Sequence, residues 1–182
     1  LDENLSLTEK KGEWIIWLTY AALVVLIFYC MYTPNIYGRG EQGDNYHAHA
    51  YFNSVYNVYQ GVPYTHNVTS IYGHYGLFFK IPMKLVHGDF RAFVLMMAGL
   101  GALTYIGAFL VLQMLVRSRI LRVIAAFALA FPVLGMRGGY YWQVWPHRVL
   151  FPVLLLLYGT VILKKKRSSL LTAAGGYLIC LL

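Results

Sequence analysis

Charge is scarce in this sequence. Only 12% of its 182 residues are Asp, Glu, Lys or Arg. A soluble domain carries about 25%, so an ordinary water-soluble enzyme is excluded. Acids are scarcer still, at seven residues: Asp2, Glu3, Glu9, Glu13, Glu41, Asp44 and Asp89. Cysteine is limited to Cys30 and Cys180, both inside apolar segments, which excludes a disulfide framework and a thiolate zinc site. No H-E-x-x-H or C-x-x-C spacing occurs, so a metal site would need ligands from distant segments. The formal charge of +8 comes from short basic clusters beside apolar runs. That is the pattern membrane topology requires, and it excludes nucleic acid as a partner.

Hydrophobic residues make up 59% of the chain. They fall into five runs that read as transmembrane spans of about 20 residues. These are 14–32, 92–116, 120–135, 149–163 and 170–182, the last cut off by the end of the sequence. The first is too long and too aromatic for a signal peptide and lacks an A-x-A-like site. Gly99, Gly101 and Gly107 offer close helix contacts in the second. Pro132 kinks the end of the third, and Pro152 sits in the first turn of the fourth. With its opening Leu1 and its apolar end, the chain reads as a fragment of one membrane domain, 1–182.

Alternating spans place Lys10/Lys11, Arg117/Arg119/Arg122 and Lys164-Lys165-Lys166-Arg167 on one side. Nine of the fifteen basic residues then lie in short inner segments and six in the longer outer ones. The positive-inside rule puts the inner side, with the N-terminus, in the cytoplasm. Segments 33–91 and 137–148 face outward.

The outer loop 33–91 far exceeds the connection of about 2–8 residues usual between packed helices, so it is functional or disordered. Nine of sixteen tyrosines lie between Tyr32 and Tyr75, and disordered segments are poor in aromatics. The spacing predicts a helix over 45–60, with Tyr51, Val55, Val58 and Tyr59 on one face and Gly61-Val62-Pro63 ending it. Such a tyrosine-rich helix belongs in the headgroup interface. A second interfacial piece follows at 75–86.

Acid–base chemistry on the outer side must use Glu41, Asp44, Asp89 or one of six histidines, all of which face outward. Asp44 is the best placed, either as a reacting carboxylate or only as the N-cap of the predicted helix. His47 and His49 point roughly 200° apart on a helix and cannot share a metal as an i, i+4 pair would. Asp44 and His47, three apart, could touch, so His47 could bond the carboxylate or a substrate phosphate. In segment 136–148, His147, Arg148 and four aromatics form either an aromatic belt with basic anchors or an anionic-headgroup site. In the second case Arg148 makes paired bonds to phosphate.

The order of parts is an outward Asp44, a helix, Gly61-Val62-Pro63-Tyr64, then Tyr72-Gly73-His74-Tyr75-Gly76-Leu77 before the second span. It resembles the amino-terminal portion of GT-C-type integral membrane glycosyltransferases. A glycine-containing stretch stands where that family has Y-P-P-L, and Asp44 has no adjacent second acid. The resemblance implies an all-α, polytopic transmembrane helix bundle with interfacial helices in its long outer loop. It implies a polyprenyl-phosphate-linked sugar as donor, with membrane lipids as surroundings, and transfer on the outer face of a bacterial plasma membrane. Asp44 would be the catalytic base. Glu41, His47, Tyr64, Tyr72, His74, His147 and Arg148 would line the substrate site. No metal ligands are assigned, although the resemblance leaves a divalent cation open as cofactor. The alternative is a non-catalytic membrane subunit or transporter component whose tyrosine-rich loop binds a partner or lipid.

Overall fold

The computed structural model describes residues 7–32, 42–64, 75–135, 146, 148–165 and 170–181. These residues form eight helices and no strand. In chain order they are α1 (Leu7–Met31), α2 (Gln42–Tyr59), α3 (Tyr75–Phe78), α4 (Lys80–Leu85), α5 (Phe90–Leu115), α6 (Arg119–Gly135), α7 (Leu150–Lys165) and α8 (Leu170–Leu181).

Each apolar run is helical. Two helices are long and apolar enough to cross a membrane, over Gly12–Met31 of α1 and Phe90–Leu115 of α5. The others, with 17, 16 and 12 residues, rise less than the roughly 30 Å of a hydrocarbon core. α1 starts seven residues ahead of the apolar run. Glu and Lys have good helix propensity, so the helix extends past the point where hydrophobicity ends.

α1 buries Ile16, Tyr20, Leu23, Ile27 and Met31, a stripe at spacings of three and four that marks one helical face. Its other face is apolar as well: Trp14, Val25 and Tyr29 are each about two-thirds exposed or more, at 65%, 66% and 76%. The buried stripe packs on α5 and α6. Tyr20 stacks on Phe109 with ring centroids 4.8 Å apart.

Two of the three glycines singled out in the second span make close contacts. Met31 occupies the space a side chain at Gly101 would need, and a Cβ at Gly107 would lie 2.8 Å from Val153 Cγ1 of α7. Gly99 faces nothing within 4 Å. α6 runs through Pro132 to Gly135. The Tyr105 hydroxyl donates to the Leu129 carbonyl at 3.1 Å, which ties α5 to α6 in the turn before that proline. α8 folds back on α7, and the Tyr158 hydroxyl donates to the Thr172 carbonyl at 2.6 Å.

The helices of the 33–91 segment form a layer against the start of α5. α2 buries Tyr51, Val55 and Val58 against α3 and α4. Burying one such side chain is worth roughly 1.5–3 kcal/mol, whereas an isolated helix of this length is marginal in water. Docking therefore holds α2 in place. Its end is a Schellman turn. Gly61 takes φ +96°, its N–H donates to Val58 O at 3.2 Å, and the Val62 N–H donates to Asn57 O at 3.0 Å. The interfacial piece predicted at 75–86 is the pair α3 and α4.

Candidate functional site

Three aromatic contacts carry the layer from α2 through α3 to α5. Tyr51 meets Tyr75 edge-on at 5.8 Å, Tyr75 stacks on Phe79 at 5.9 Å, and Phe79 meets Phe93 at 5.5 Å. Phe52 adds direct contacts to Phe90 at 4.9 Å and Phe93 at 5.4 Å. Burial pushes the Tyr75 hydroxyl well above the usual tyrosine range, because the phenolate would lose its hydration there.

α2 begins at Gln42, so Asp44 lies in its first turn and is not the N-cap the sequence suggested. The physical reason is that first-turn N–H groups have no intrahelical partner in any case, so Gly43 does not delay the start. The helix dipole still favours an acid there. The side chains of Asp44, His47 and His49 lie outside what the structure describes. The acid of the 33–91 segment that does cap a helix is Asp89. Its carboxylate accepts the Arg91 N–H at 2.8 Å and starts α5. Asp89 thus has a structural role.

The G-x-P-Y and Y-G-x-Y-G-L elements meet. Gly76 is buried where a Cβ would lie 3.0 Å from Val58 Cγ2, 3.3 Å from the Ser54 carbonyl and 3.4 Å from Tyr64 Cδ2. A larger residue at 76 would press α3 away from α2 and from the half-buried Tyr64. This accounts for glycine at that point of the motif. Arg148 stands exposed just ahead of α7. Phe151 lies 6.2 Å from Phe78 of α3, while Val153 packs on Gly107, beyond the midpoint of α5. The start of α7, with Arg148 just ahead of it, therefore borders the α2–α4 layer at α3. Glu41, Tyr72, His74 and His147 lie outside the described residues. Among those described, no three His, Cys, Asp or Glu side chains gather as a metal site.

At the far end of α1 and α5 lies a polar cluster that sequence reasoning did not single out. Glu13 accepts from Gln113 Nε2 at 2.8 Å, from Arg119 Nε at 3.1 Å and from Arg122 Nη1 at 3.0 Å. The start of α1, the end of α5 and the start of α6 therefore share one end of the molecule. The signal was present: Glu13 is the acid closest to an apolar run, and three arginines follow another.

Comparison of the chain with family models, curated proteins and solved structures yields no match.

Proposed function

We propose that this chain is the amino-terminal part of a polytopic membrane glycosyltransferase. It moves a sugar from a polyprenyl-phosphate carrier to an acceptor on the outer face of the membrane, with Asp44 as general base. The observation that carries this reading is the α2–α4 layer: Tyr64 and Gly76, from the two motif segments, meet at α2, the helix that bears Asp44 in its first turn.

Three further points support it. From Trp14 to Tyr29 the exposed face of α1 carries large apolar side chains, as suits a helix facing lipid and not water. The Glu13 contacts bring Arg119 and Arg122 to the start of α1, the helix that carries Lys10 and Lys11 in its first turns, as alternating spans with a cytoplasmic positive side require. Asp89 serves as a cap, so the proposed reading gives the base role to Asp44 and not to Asp89.

In the reaction, the Asp44 carboxylate takes the proton of the acceptor hydroxyl as its oxygen bonds to the anomeric carbon. The bond from that carbon to the phosphate oxygen breaks, and the phosphate leaves with the electron pair. Arg148 is the cation proposed to stabilise that charge, and attack from the opposite side inverts the anomeric centre. General-base assistance is worth about 10²–10⁴-fold. Asp44→Asn should insert normally and lose transfer by that factor when radiolabelled polyprenyl-phosphate sugars are supplied to membranes at matched expression. Undiminished transfer in the variant would remove Asp44 from the chemistry.

A further inference from the structure

Among the described residues, two buried side-chain atoms have no hydrogen-bond partner: the Tyr20 hydroxyl of α1 and Gln113 Oε1 of α5. Tyr20 is 3% exposed. Leaving a buried donor or acceptor unsatisfied destabilises a fold, so two orphans in one helix contact require an explanation.

They converge on one place. Met31 meets Gly101, Tyr20 meets Phe109 and Glu13 meets Gln113, so α1 and α5 run antiparallel. Gln113 lies one turn beyond Phe109, about 6 Å along α5, on the side of Glu13. Long side chains in a helix lean toward its N-terminus. In this antiparallel pair Tyr20 therefore leans toward Glu13, and Gln113 leans back toward Phe109 and the Tyr20 ring stacked on it. The Glu13 carboxylate and the Arg122 guanidinium both act electrostatically on the Tyr20 hydroxyl. The same carboxylate accepts from Gln113 Nε2 at 2.8 Å. That bond fixes the amide, because the reverse orientation would set Oε1 against a carboxylate. Oε1 thus needs a donor, and Tyr20 has a proton to donate, yet neither is the other's partner.

We propose that a single water molecule is bound between Tyr20 and Gln113, accepting from the Tyr20 hydroxyl and donating to Gln113 Oε1. Its second proton is available to the Glu13 carboxylate, which brings its polar partners to about three, the usual number for a buried water. The occupant must both accept and donate, and a metal cation can donate nothing. A cation would also meet the Arg122 guanidinium, which holds the same carboxylate at 3.0 Å. The water carries the hydrogen bonds of the Glu13 cluster into the apolar contact and joins α1 to α5 there. It accounts for a tyrosine at position 20, where phenylalanine would pack on Phe109 equally well. The site is independent of the transferase chemistry.

The first test is the sign of a stability change. A water-bound hydroxyl stabilises the fold, so Tyr20→Phe should lower the folding equilibrium constant about fivefold in mixed-micelle denaturant titrations, the net worth of an ordinary hydrogen bond. A variant as stable as the parent, or more stable, would overturn the proposal, because a dry hydroxyl costs stability until it is removed. Radiolytic footprinting in heavy-oxygen water then locates the water itself. In the lipid-embedded full chain, radicals form from water held beside a side chain, so Tyr20 should take up the oxygen label although it is buried. Tyr105 is fully buried with its hydroxyl on the Leu129 carbonyl, and it should stay unlabelled and give the baseline. Gln113→Leu keeps Tyr20 and removes its neighbour's carbonyl, so the Tyr20 label should fall to that baseline. An unlabelled Tyr20 in the parent would overturn the proposal. A label that persists in folded Gln113→Leu would overturn it too, since water would then reach the hydroxyl without being held at Gln113.

Discussion

At the scale of single residues, the same residue type does different work according to what lies opposite it. Gly99 and Gly107 sit on one helix, yet Gly99 faces open space and Gly107 faces Val153 Cγ1. Replacing a mid-helix glycine by alanine gains about 0.5–1 kcal/mol of backbone entropy, so Gly99→Ala should raise the melting temperature in detergent slightly. Gly107→Ala meets a valine whose branched side chain has little rotamer freedom. Overpacking of that kind costs about 1–3 kcal/mol, so the melting temperature should fall, and Val153→Ala in the same chain should restore it. Tyr75 offers a test by pH. The folded state keeps its proton where the unfolded chain, titrating near 10, has lost it. By linkage, its contribution to stability is complete below about pH 10 and declines as pH rises beyond that. Denaturant midpoints should fall above pH 10, and Tyr75→Phe should lessen the fall. An identical slope in the variant would mean that other tyrosines control it.

At the scale of elements, period and punctuation were legible and partners were not. The five apolar runs are all helices. The end of α2 was readable because Gly61 and Pro63 have definite backbone consequences, and Gly61 takes the left-handed conformation. The buried stripe Tyr51, Val55, Val58 followed from spacing alone. The start of α2 was misjudged by three residues, because Asp44 is as well suited to a first turn as to a cap. Assigning the cap needed the hydrogen bond that Asp89 makes. The meeting of Tyr64 with Gly76 depends on how α2 and α3 dock, which no local pattern reports. The Glu13 cluster was hidden for the same reason, since its members lie about a hundred positions apart in the chain. It also makes a prediction for how the elements hold together. Arg122 has a side chain only 11% exposed, and hydrogen bonds to charged groups are worth about 1.5–3 kcal/mol. Glu13→Gln should therefore lower stability by that order, and Glu13→Asp, which keeps the charge, by less. Equal melting temperatures for Glu13→Gln and the parent would make the cluster an exposed pairing of no consequence.

At the scale of the whole molecule, the proposed chemistry depends on which end faces which compartment. Two independent features bear on it. The basic clusters alternate along the sequence as an inside-positive protein requires, and the Glu13 contacts join the start of α1, the end of α5 and the start of α6 at one end. The α2–α4 layer packs on Phe90 and Phe93, at the opposite end of α5. If α1 and α5 both cross the bilayer, Ser118 and Gln60 must lie on opposite sides of it. Both residues are exposed, so each can carry a cysteine without disturbing the core. With Cys30 and Cys180 changed to alanine, a membrane-impermeant maleimide applied to intact cells should label Gln60→Cys. Ser118→Cys should label only after the membrane is opened. Labelling of both positions from outside would mean that α1 and α5 do not separate two compartments, and a base at Asp44 acting on the outer face would lose its foundation. Labelling of Ser118→Cys but not Gln60→Cys from outside would put α2 in the cytoplasm, reversing the topology while leaving the two-ended shape intact.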